Sequence, residues 1–539
     1  MSPVLTAAAG PMLAPQITDP PSRLRATLAL ARSETVRLVR HPLILLALVA
    51  FVGLGFYPLV SGRAARSTGH LVLQLADQGS QLSGFLLIGS AVLIVANLAT
   101  TRAARQRTAT VFDLLALPGW CRVAAQMLAV GVLAAMTAVL DTVRIVALAM
   151  EPNAIGRPDP AELLAVPAVV LLFGVSGVLL GALVQSAAVA PLSLLALLAP
   201  QYLLGIHGRI TWMLPIGPDY TLVPPLPPEL MLRPAGAHLA YLIGLVVLIS
   251  VLAMVKAGAR TVTVLAAGVL ALVVVGVSAV IQLGGPDPQV LAARLEARDH
   301  PAARHSCERR EQVTYCFYPD WRPWVATWDR TVRAVLDRVP AEVAAQPIAL
   351  RQRVDAIVVP DTEDRLLALG GTGATSSARS SAQVLDDQQA GLPEAIGLDT
   401  RWPGEGDGEV DLAGQVAYRV LTGRAAPDPQ DSVCGGQAVL LAWLAAQVSP
   451  DAAETIRWYA SPNSPASNRS ISFGPGAGLG VPNRELTTAV AVLTRPAKQV
   501  SAIVNRSWTE LTAEQTTVER AAEILGVPAA PPNDLFTRC

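Results

Sequence analysis

Long apolar runs without charge constrain this chain more than any other feature of its sequence. They dominate residues 43–283, whereas residues 284–539 have the composition of a water-soluble domain. A helix needs about 20 mostly apolar residues to cross the hydrocarbon core of a bilayer. The chain therefore divides into a membrane half and a soluble half, and only 15% of its 539 residues are charged.

Seven runs are long and apolar enough to be membrane-spanning helices. They cover residues 43–61, 84–101, 123–143, 163–184, 187–205, 238–256 and 262–283. Only Gln185 and Ser186 separate the fourth run from the fifth, which predicts a tight helical hairpin. We expect a polytopic α-helical membrane domain of six to seven spans over residues 43–283, followed by a soluble mixed α/β or α+β domain over residues 284–539.

The segment before the first run has a helical pattern of its own. Residues 1–21 are rich in Ala and Pro and are expected to be a disordered tail. Residues 22–42 carry arginines on one side and apolar residues at helical spacing on the other. The apolar positions are Leu24, Leu28, Ala31, Thr35 and Leu38. This pattern predicts an amphipathic helix in the headgroup layer, and the alternative is a charged flank without such a helix.

Arginines and lysines in short loops predict the orientation, because loops rich in them stay in the cytoplasm. With a cytoplasmic N-terminus, the inside segments hold eleven of these residues and the outside loops hold five. We therefore expect a multi-pass plasma-membrane protein with its N-terminus in the cytoplasm. Seven spans would put the C-terminal domain outside the cytoplasm, whereas one span fewer would put it inside.

The cysteines provide an independent indication of the compartment. Four of the five lie in the soluble half, and an even number is typical of an oxidising environment. Cys307 and Cys316 lie on two extended arms around a polar turn, so we predict a disulfide between them. Cys434 and Cys539 either form a second disulfide or remain thiols.

A charged segment separates the second apolar run from the third. It reads TTRAARQRTATVFDLLALPGWCR over residues 100–122 and falls on the predicted cytoplasmic side. Leu114 and Leu115 give it an apolar face, Asp113 suits the positive end of a helix dipole, and Pro118 ends the pattern. Such a helix is suited to docking into a groove on a soluble partner.

These features resemble the permease subunits of bacterial type 2 ABC exporters. The coupling segment of that family has a basic cluster, Gly-Thr, Glu, two leucines and Pro. The matching residues are Arg105, Arg107, Thr110, Asp113, Leu114, Leu115 and Pro118. Ala109 stands where the family has Gly, and Asp113 stands where it has Glu. Residues 22–41 match the family's interfacial helix, and residues 212–230 match its Pro-rich extracellular insertion.

The resemblance implies that this chain works with partners. A separate ABC ATPase subunit would hydrolyse ATP, and a second permease copy or a paralogue would complete the path of an unidentified substrate. The lipid bilayer is the remaining expected partner, and the zero net charge gives no argument for nucleic acid. Lys256 and Lys498 both lack the Gly-rich context of a P-loop, so the ATPase is expected on another chain.

The sequence favours neither an enzyme nor a cofactor or metal site. The stretch SVCGGQAVLLAWL places Cys434 at the start of a predicted helix, as in thiol hydrolases, but no His follows it to act as base. Neither an HExxH nor a GxSxG pattern is present. The second functional hypothesis is therefore a membrane-anchored sensor or scaffold, whose C-terminal domain binds a ligand or an envelope partner.

Two patterns in the membrane half leave alternatives open. Asp141 and Arg144, near the outer end of the third run, either line a substrate path or form an interfacial pair that snorkels to water. We favour the snorkelling pair. Gly177 and Gly181 form a GxxxG step, which is either a helix contact or a chance pattern.

The soluble half gives coarser expectations. Trp321, Trp324 and Trp328 recur at helical spacing, which favours a core position over a ligand site. We expect a strand at residues 312–318, helices at 437–447 and 516–525, and a long exposed loop at 370–412. Residues 487–494 fit either a buried strand or a helix.

Overall fold

The described part of the chain is mostly helical, with a small mixed sheet in its later half. The computed structural model describes residues 22–60, 71–106, 117–204, 225–231, 234–284, 287–354, 381–400, 406–425, 433–464, 470–473 and 479–531. In the apolar half these residues form α1 (Arg23–Val39), α2 (Pro42–Val60), α3 (Leu73–Ser83), α4 (Ser90–Thr100), α5 (Gly119–Ala149), α6 (Pro160–Leu183), α7 (Val189–Leu204), α8 (Ala235–Lys256) and α9 (Val262–Leu283).

Several of these helices could cross a membrane. Five described helical stretches are long and apolar enough: Gly79–Thr100, Gly119–Ala149, Pro160–Leu183, Ala235–Lys256 and the stretch that begins at Val262. α1 and α2 are a sixth candidate if they are taken together, although they meet at 65°. α7 has only 16 residues, fewer than the roughly 20 that a crossing needs. The described residues therefore give five to six spans, and the count of seven stays a prediction.

α3 and α4 belong to one long helix, because Gly84–Gly89 joins them as a π-helical insertion. The Ser90 hydroxyl donates to the carbonyl oxygen of Phe85, five residues earlier, at 3.2 Å. The Phe85 ring meets the Phe173 ring edge to face, with 5.1 Å between centroids. Because α3 is polar, the apolar pattern marked only the part of this helix after residue 84.

α6 lies at the centre of the bundle, in contact with α4, α5 and α8. Gly177 lets it approach α4 so closely that a Cβ there would lie 2.3 Å from the backbone carbonyl oxygen of Leu93. A Cβ on Gly181, one turn later, would lie 2.7 Å from the Cβ of Thr100. The GxxxG step is therefore a helix contact and not a chance pattern.

The two ends of the bundle carry different parts of the chain. At one end Arg102, just after α4, reaches Glu34 of α1 at 3.4 Å. A Cβ on Gly119, at the start of α5, would lie 3.2 Å from the carbonyl oxygen of Ala257 after α8. At the other end Ile155, after α5, forms a parallel β-bridge with Val72.

The later half combines short helices with two small sheets. Its described elements are α10 (Pro288–Asp299), β1 (Ser306–Arg310), β2 (Val313–Phe317), α11 (Val325–Leu336), β3 (Ile348–Gln352), α12 (Ser381–Gln389), β4 (Ile396–Leu398), α13 (Asp407–Thr422), α14 (Gly435–Ala446), α15 (Pro450–Tyr459), β5 (Ser470–Phe473), β6 (Leu479–Pro482), α16 (Asn483–Val492), α17 (Ala497–Arg506) and α18 (Val518–Leu525). The larger sheet has the order β1-β2-β3-β4. β1 pairs antiparallel with β2, and the other neighbours pair parallel.

Most local expectations for this half are confirmed. The predicted strand is β2, the helix at 437–447 is α14, and the ambiguous stretch at 487–494 lies largely in a helix, α16. Thr517 caps α18, since its side chain accepts a hydrogen bond from the Arg520 N–H at 3.2 Å.

The prediction of a long exposed loop at residues 370–412 is wrong for most of the residues that the structure describes there. That region contains α12, β4 and the start of α13, while residues 370–380 lie outside the described residues. Asp386 and Asp387 anchor α12, because both are buried against Arg351 of β3. Because α12 carries aspartates on its buried face, its sequence lacks the apolar periodicity from which a helix is predicted.

Three tryptophans occupy the core of this half, as their helical spacing predicts. Trp321, Trp324 and Trp328 are all buried. Trp324 and Trp328 meet edge to face with 6.4 Å between centroids. The indole N–H of Trp321 donates to the carbonyl oxygen of Thr400 at 3.0 Å, so burial leaves this polar group satisfied.

The close approach at Gly177 gives a test of the helix packing. Gly177→Ala is expected to lower the stability by about 1–3 kcal/mol, because the added methyl group meets a backbone carbonyl that cannot move aside. Gly131→Ala on α5 is the matched control, since no atom lies within 4 Å of a Cβ there. The measurement is the thermal unfolding midpoint of the purified full chain in detergent. Equal midpoints for the two variants would contradict the contact between α4 and α6.

Candidate functional site

The described flanks of the charged segment at residues 100–122 lie at one end of the bundle. A single helical turn, Arg102–Arg105, follows α4, and Arg105 donates from Nη2 to the carbonyl oxygen of Leu98 at 2.8 Å. Pro118 directly precedes α5 as its N-cap. The remaining motif residues lie outside the described part of the chain: Arg107, Thr110, Asp113, Leu114 and Leu115.

α1 packs against this same end of the bundle. Its buried positions are Thr27, Ala31, Glu34 and Leu38, and they face α5. The amphipathic helix is therefore present, but its predicted apolar face is partly wrong. Leu24 and Leu28 are exposed, whereas Ala31 and Leu38 are buried.

Glu34 is a buried carboxylate on that helix, and two arginines neutralise it. Arg37 contacts its Oε1 at 3.0 Å and Arg102 contacts the same oxygen at 3.4 Å. Arg102 is the second residue after α4 and begins the short helical turn Arg102–Arg105. The ion pair thus ties α1 to the start of the charged segment.

A cleft of about 230 Å³ opens beside these charges. Arg37, Arg102, Arg105 and His41 surround it together with Glu34. Its apolar wall comes from α1 and α4, through Leu38, Val95, Leu98 and Ala99. The arrangement offers several cationic donors next to a hydrophobic surface.

A second group of charges lies inside the bundle, around Asp141. Its Oδ1 accepts from the Ser80 hydroxyl at 2.6 Å and lies 3.4 Å from Nη1 of Arg144. Arg144 also donates from Nε to the carbonyl oxygen of Gly55 at 3.2 Å. Because both side chains are buried, the snorkelling interpretation is wrong, although the two residues do pair one turn apart.

Arg144 fits against α2 only because residue 55 is a glycine. A Cβ there would lie 2.8 Å from Cδ of Arg144. The second carboxylate oxygen of Asp141, Oδ2, has no hydrogen-bond partner among the described residues. A buried acceptor without a donor is costly unless a water, a proton or a ligand reaches it.

The polar face of α3 extends this group toward the soluble half, and the sequence analysis missed it. Gln81 donates from Nε2 to Oε2 of the buried Glu162 on α6 at 2.9 Å. Gln74 donates to the carbonyl oxygen of Leu226 at 2.6 Å. The sequence LQLADQGSQLS carried a signal, since six polar side chains stand directly before an apolar run.

The soluble half sits on this end of the bundle. The Trp324 indole N–H donates to the carbonyl oxygen of Asn153 at 3.1 Å, and Arg157 pairs with Asp320 at 3.1 Å. Val72, Ile155, Leu226 and Leu230, all from connections between membrane helices, belong to the same apolar core as the tryptophans. The two halves therefore share one core.

A buried ion network lies within the soluble half. Arg351 contacts Asp387 at 2.5 Å and Asp386 at 2.6 Å, and Arg353 contacts Asp387 at 2.7 Å. Arg351 also donates from Nε to Nδ1 of His305 at 3.4 Å. Burial and the nearby Arg351 and Arg353 charges lower the pKa of His305 to about 3.

The cysteines of the soluble half are largely as predicted. Cys307 and Cys316 form a disulfide and lie directly opposite each other on β1 and β2, with 4.1 Å between their Cα atoms. Cys434 is also disulfide-bonded, which leaves no thiolate for catalysis there, while its expected partner Cys539 lies outside the described residues. Cys121 is a buried free thiol.

Glu485 is a buried carboxylate beside the start of α14. It accepts a hydrogen bond from the Gly435 N–H at 3.3 Å, and burial raises its pKa. The described residues contain no group of three or more His, Cys, Asp or Glu side chains arranged to hold a metal ion.

Comparison with known proteins finds no matching family model, curated protein or solved structure.

The buried pair in the bundle can be tested by a double-mutant cycle. Arg144→Met is expected to cost about 3–5 kcal/mol, because it leaves the Asp141 carboxylate buried without its counter-charge. The double variant Asp141→Asn with Arg144→Met should recover most of this loss, since no charge remains unpaired. Thermal unfolding of the purified chain in detergent measures both effects. Additive losses in the double variant would contradict the pairing.

His305 should make the stability depend on pH. Its pKa is about 3 in the fold, against an ordinary value of 6.5. Between these values the unfolded chain binds a proton that the folded chain does not, so stability falls as pH falls. From pH 7 to pH 5 the expected loss is about 2 kcal/mol. Chemical denaturation of the full chain, followed by tryptophan fluorescence, measures it.

The control for this pH dependence is a second histidine of the same region. His305→Phe is expected to remove the loss of stability between pH 7 and pH 5. His300→Phe should retain it, because the His300 side chain is 53% exposed. An unchanged pH dependence in His305→Phe would contradict the assignment.

Proposed function

We propose that this chain is the permease subunit of a type 2 ABC exporter in a bacterial plasma membrane. A separate ATPase subunit binds the segment between α4 and α5, and its ATP hydrolysis drives a substrate between two permease copies or paralogues. The proposal rests on the resemblance of residues 22–260 to that family. The packing of the bundle adds physical support.

The structural observation that best supports the proposal is the continuity of α5. This helix runs without a break for 31 residues, from Gly119 beside the coupling segment to Ala149 near the soluble half. It carries Asp141 about 33 Å from Gly119, at 1.5 Å per residue. A displacement of the segment by an ATPase would therefore reach the buried Asp141–Arg144 pair through one rigid element.

The anchoring of the segment fits the same role. Glu34 of α1 holds Arg102 on its first side, and α5 begins directly after Pro118 on its other side. Because both described flanks are fixed to helices, a force on the segment would be passed to those helices. The Leu114 and Leu115 pair supplies the apolar anchors for a groove on the ATPase.

Seven crossings are part of this proposal. Gly181 of α6 lies beside Thr100, at the end of the bundle that carries the arginines. Leu226 accepts a hydrogen bond from Gln74, at the end that carries the soluble half. The chain between residues 181 and 226 therefore has to pass from one end to the other, which supports a crossing by α7 and the residues that follow it.

The proposed sidedness follows from charge and redox chemistry together. The arginine-rich end would face the cytoplasm, where an ATPase finds ATP. The soluble half would face the oxidising side, which agrees with the disulfides of Cys307–Cys316 and Cys434. No P-loop occurs in the sequence, so the motor is a different chain.

Copurified ATPase activity tests this function. The tagged chain is purified from membranes of its own host, and vanadate-sensitive ATP hydrolysis is measured. The wild type is expected to hydrolyse ATP, and Leu114→Glu with Leu115→Glu should lose this activity at unchanged yield, because charges are placed on the apolar anchors.

Met150→Glu is the control, because Met150 is 80% exposed at the opposite end of α5. It should retain the activity of the wild type. If the wild-type preparation hydrolyses no ATP, or if the double leucine variant retains the activity, the exporter proposal fails. The sensor or scaffold hypothesis is then the one to pursue.

A further inference from the structure

The cleft between α1 and α4 has the chemistry of an anion site at the membrane surface. Three guanidinium groups, of Arg37, Arg102 and Arg105, surround it, and Glu34 is the only acidic residue among its described lining residues. Since the Glu34 carboxylate offsets one of the three guanidinium charges, the described lining of the cleft keeps an excess of two positive charges. Such an excess favours a ligand with a phosphate group.

Donor groups remain for such a ligand. Each guanidinium carries five N–H donors, and the described contacts of Arg102 and Arg105 use one on each. His41 contributes a further donor. Its Nδ1 accepts from the Leu43 N–H at 3.3 Å, so the proton of the neutral ring is on Nε2.

The other wall of the cleft is apolar, which distinguishes this site from one for a free anion. Leu38, Val95 and Leu98 line that wall. Leu45 and Leu46 follow the cleft at the start of α2 and are exposed. A ligand with a phosphate group at one end and hydrocarbon at the other satisfies both walls.

The position in the fold agrees with a lipid headgroup. α1 and α2 meet at 65°, and His41 lies at this bend, where an interfacial helix turns into a span. The volume of about 230 Å³ corresponds to several water molecules at about 30 Å³ each, which is enough for a phosphodiester and its glycerol. The acyl chains would continue along the apolar surface of α2.

We propose that this cleft binds the headgroup of an anionic glycerophospholipid, with Arg37, Arg102 and Arg105 around the phosphate and Leu38, Val95 and Leu98 against the glycerol end. The site is independent of the proposed transport function, because it requires only that the chain lies in a bilayer. Lipid bound here would hold α1 and the Arg102–Arg105 turn together, as Glu34 does from the other side.

Native mass spectrometry of the purified full chain, titrated with phosphatidylglycerol or phosphatidylcholine, tests the proposal. Phosphatidylglycerol is expected to bind more tightly, and Arg105→Gln should weaken it about fivefold, the effect of one charge near an anionic group. Arg105 is the informative position, since its described contact is to a backbone carbonyl and its removal leaves the Glu34 pairs intact.

Arg32→Gln is the matched control, because Arg32 is exposed on α1 and lies outside the cleft. It should bind phosphatidylglycerol like the wild type. Equal affinity of Arg105→Gln and Arg32→Gln would overturn the site, as would equal binding of phosphatidylcholine by the wild type. Displacement of the lipid by millimolar inorganic phosphate would show a free-anion site and overturn the lipid assignment.

Discussion

Charge that is shut away from water has to be neutralised within the fold, and this requirement fixes the arrangement of both halves of the molecule. Removing an ion from water costs several kcal/mol, which a well-placed counter-charge and hydrogen bonds offset. Glu34 has Arg37 and Arg102, Asp141 has Arg144, and Arg351 has two aspartates. The Glu34–Arg102 and Arg351–Asp387 pairs join elements that are distant in the sequence, and the Asp141–Arg144 pair within α5 reaches α3 through Ser80 and α2 through the Gly55 carbonyl.

These contacts also determine which helix surfaces can meet. Leucine faces alone would allow a membrane helix to rotate or slide at little cost, because lipid is as apolar as its neighbours. Ser80 donates to Asp141, and the Gly55 carbonyl accepts from Arg144, so these contacts restrict how α3 and α2 can rotate relative to α5. Gly177 adds a steric condition between α4 and α6.

Patterns that depend on neighbouring residues were readable from the sequence, whereas contacts between distant residues were not. The apolar runs, the Cys307–Cys316 hairpin and the tryptophan core follow from local spacing. The helix α12 and the burial of Asp141 depend on arginines and hydroxyls elsewhere in the chain. A carboxylate looks the same in a sequence whether its partner is water or a buried guanidinium.

For the candidate site too, local patterns could be read from the sequence and distant contacts could not. Its location between the second and third apolar runs came from charge and span order, and Arg105 and Pro118 do flank it at one end of the bundle. Neither the tie from Glu34 to Arg102 nor the cleft beside it could be read from the sequence. Both depend on how α1 lies across the other helices, which its exposed leucines did not indicate.

The shared core also sets the order in which the molecule can be completed. Val72, Ile155 and Leu226 are made early in synthesis, yet the tryptophans that cover them come from a later part of the chain. Until the ribosome has released that part, the connections at this end of the helix bundle expose apolar surface, which is a hazard for aggregation during biogenesis. Maturation of the apolar half therefore waits for the part of the chain that carries the tryptophans to emerge and fold.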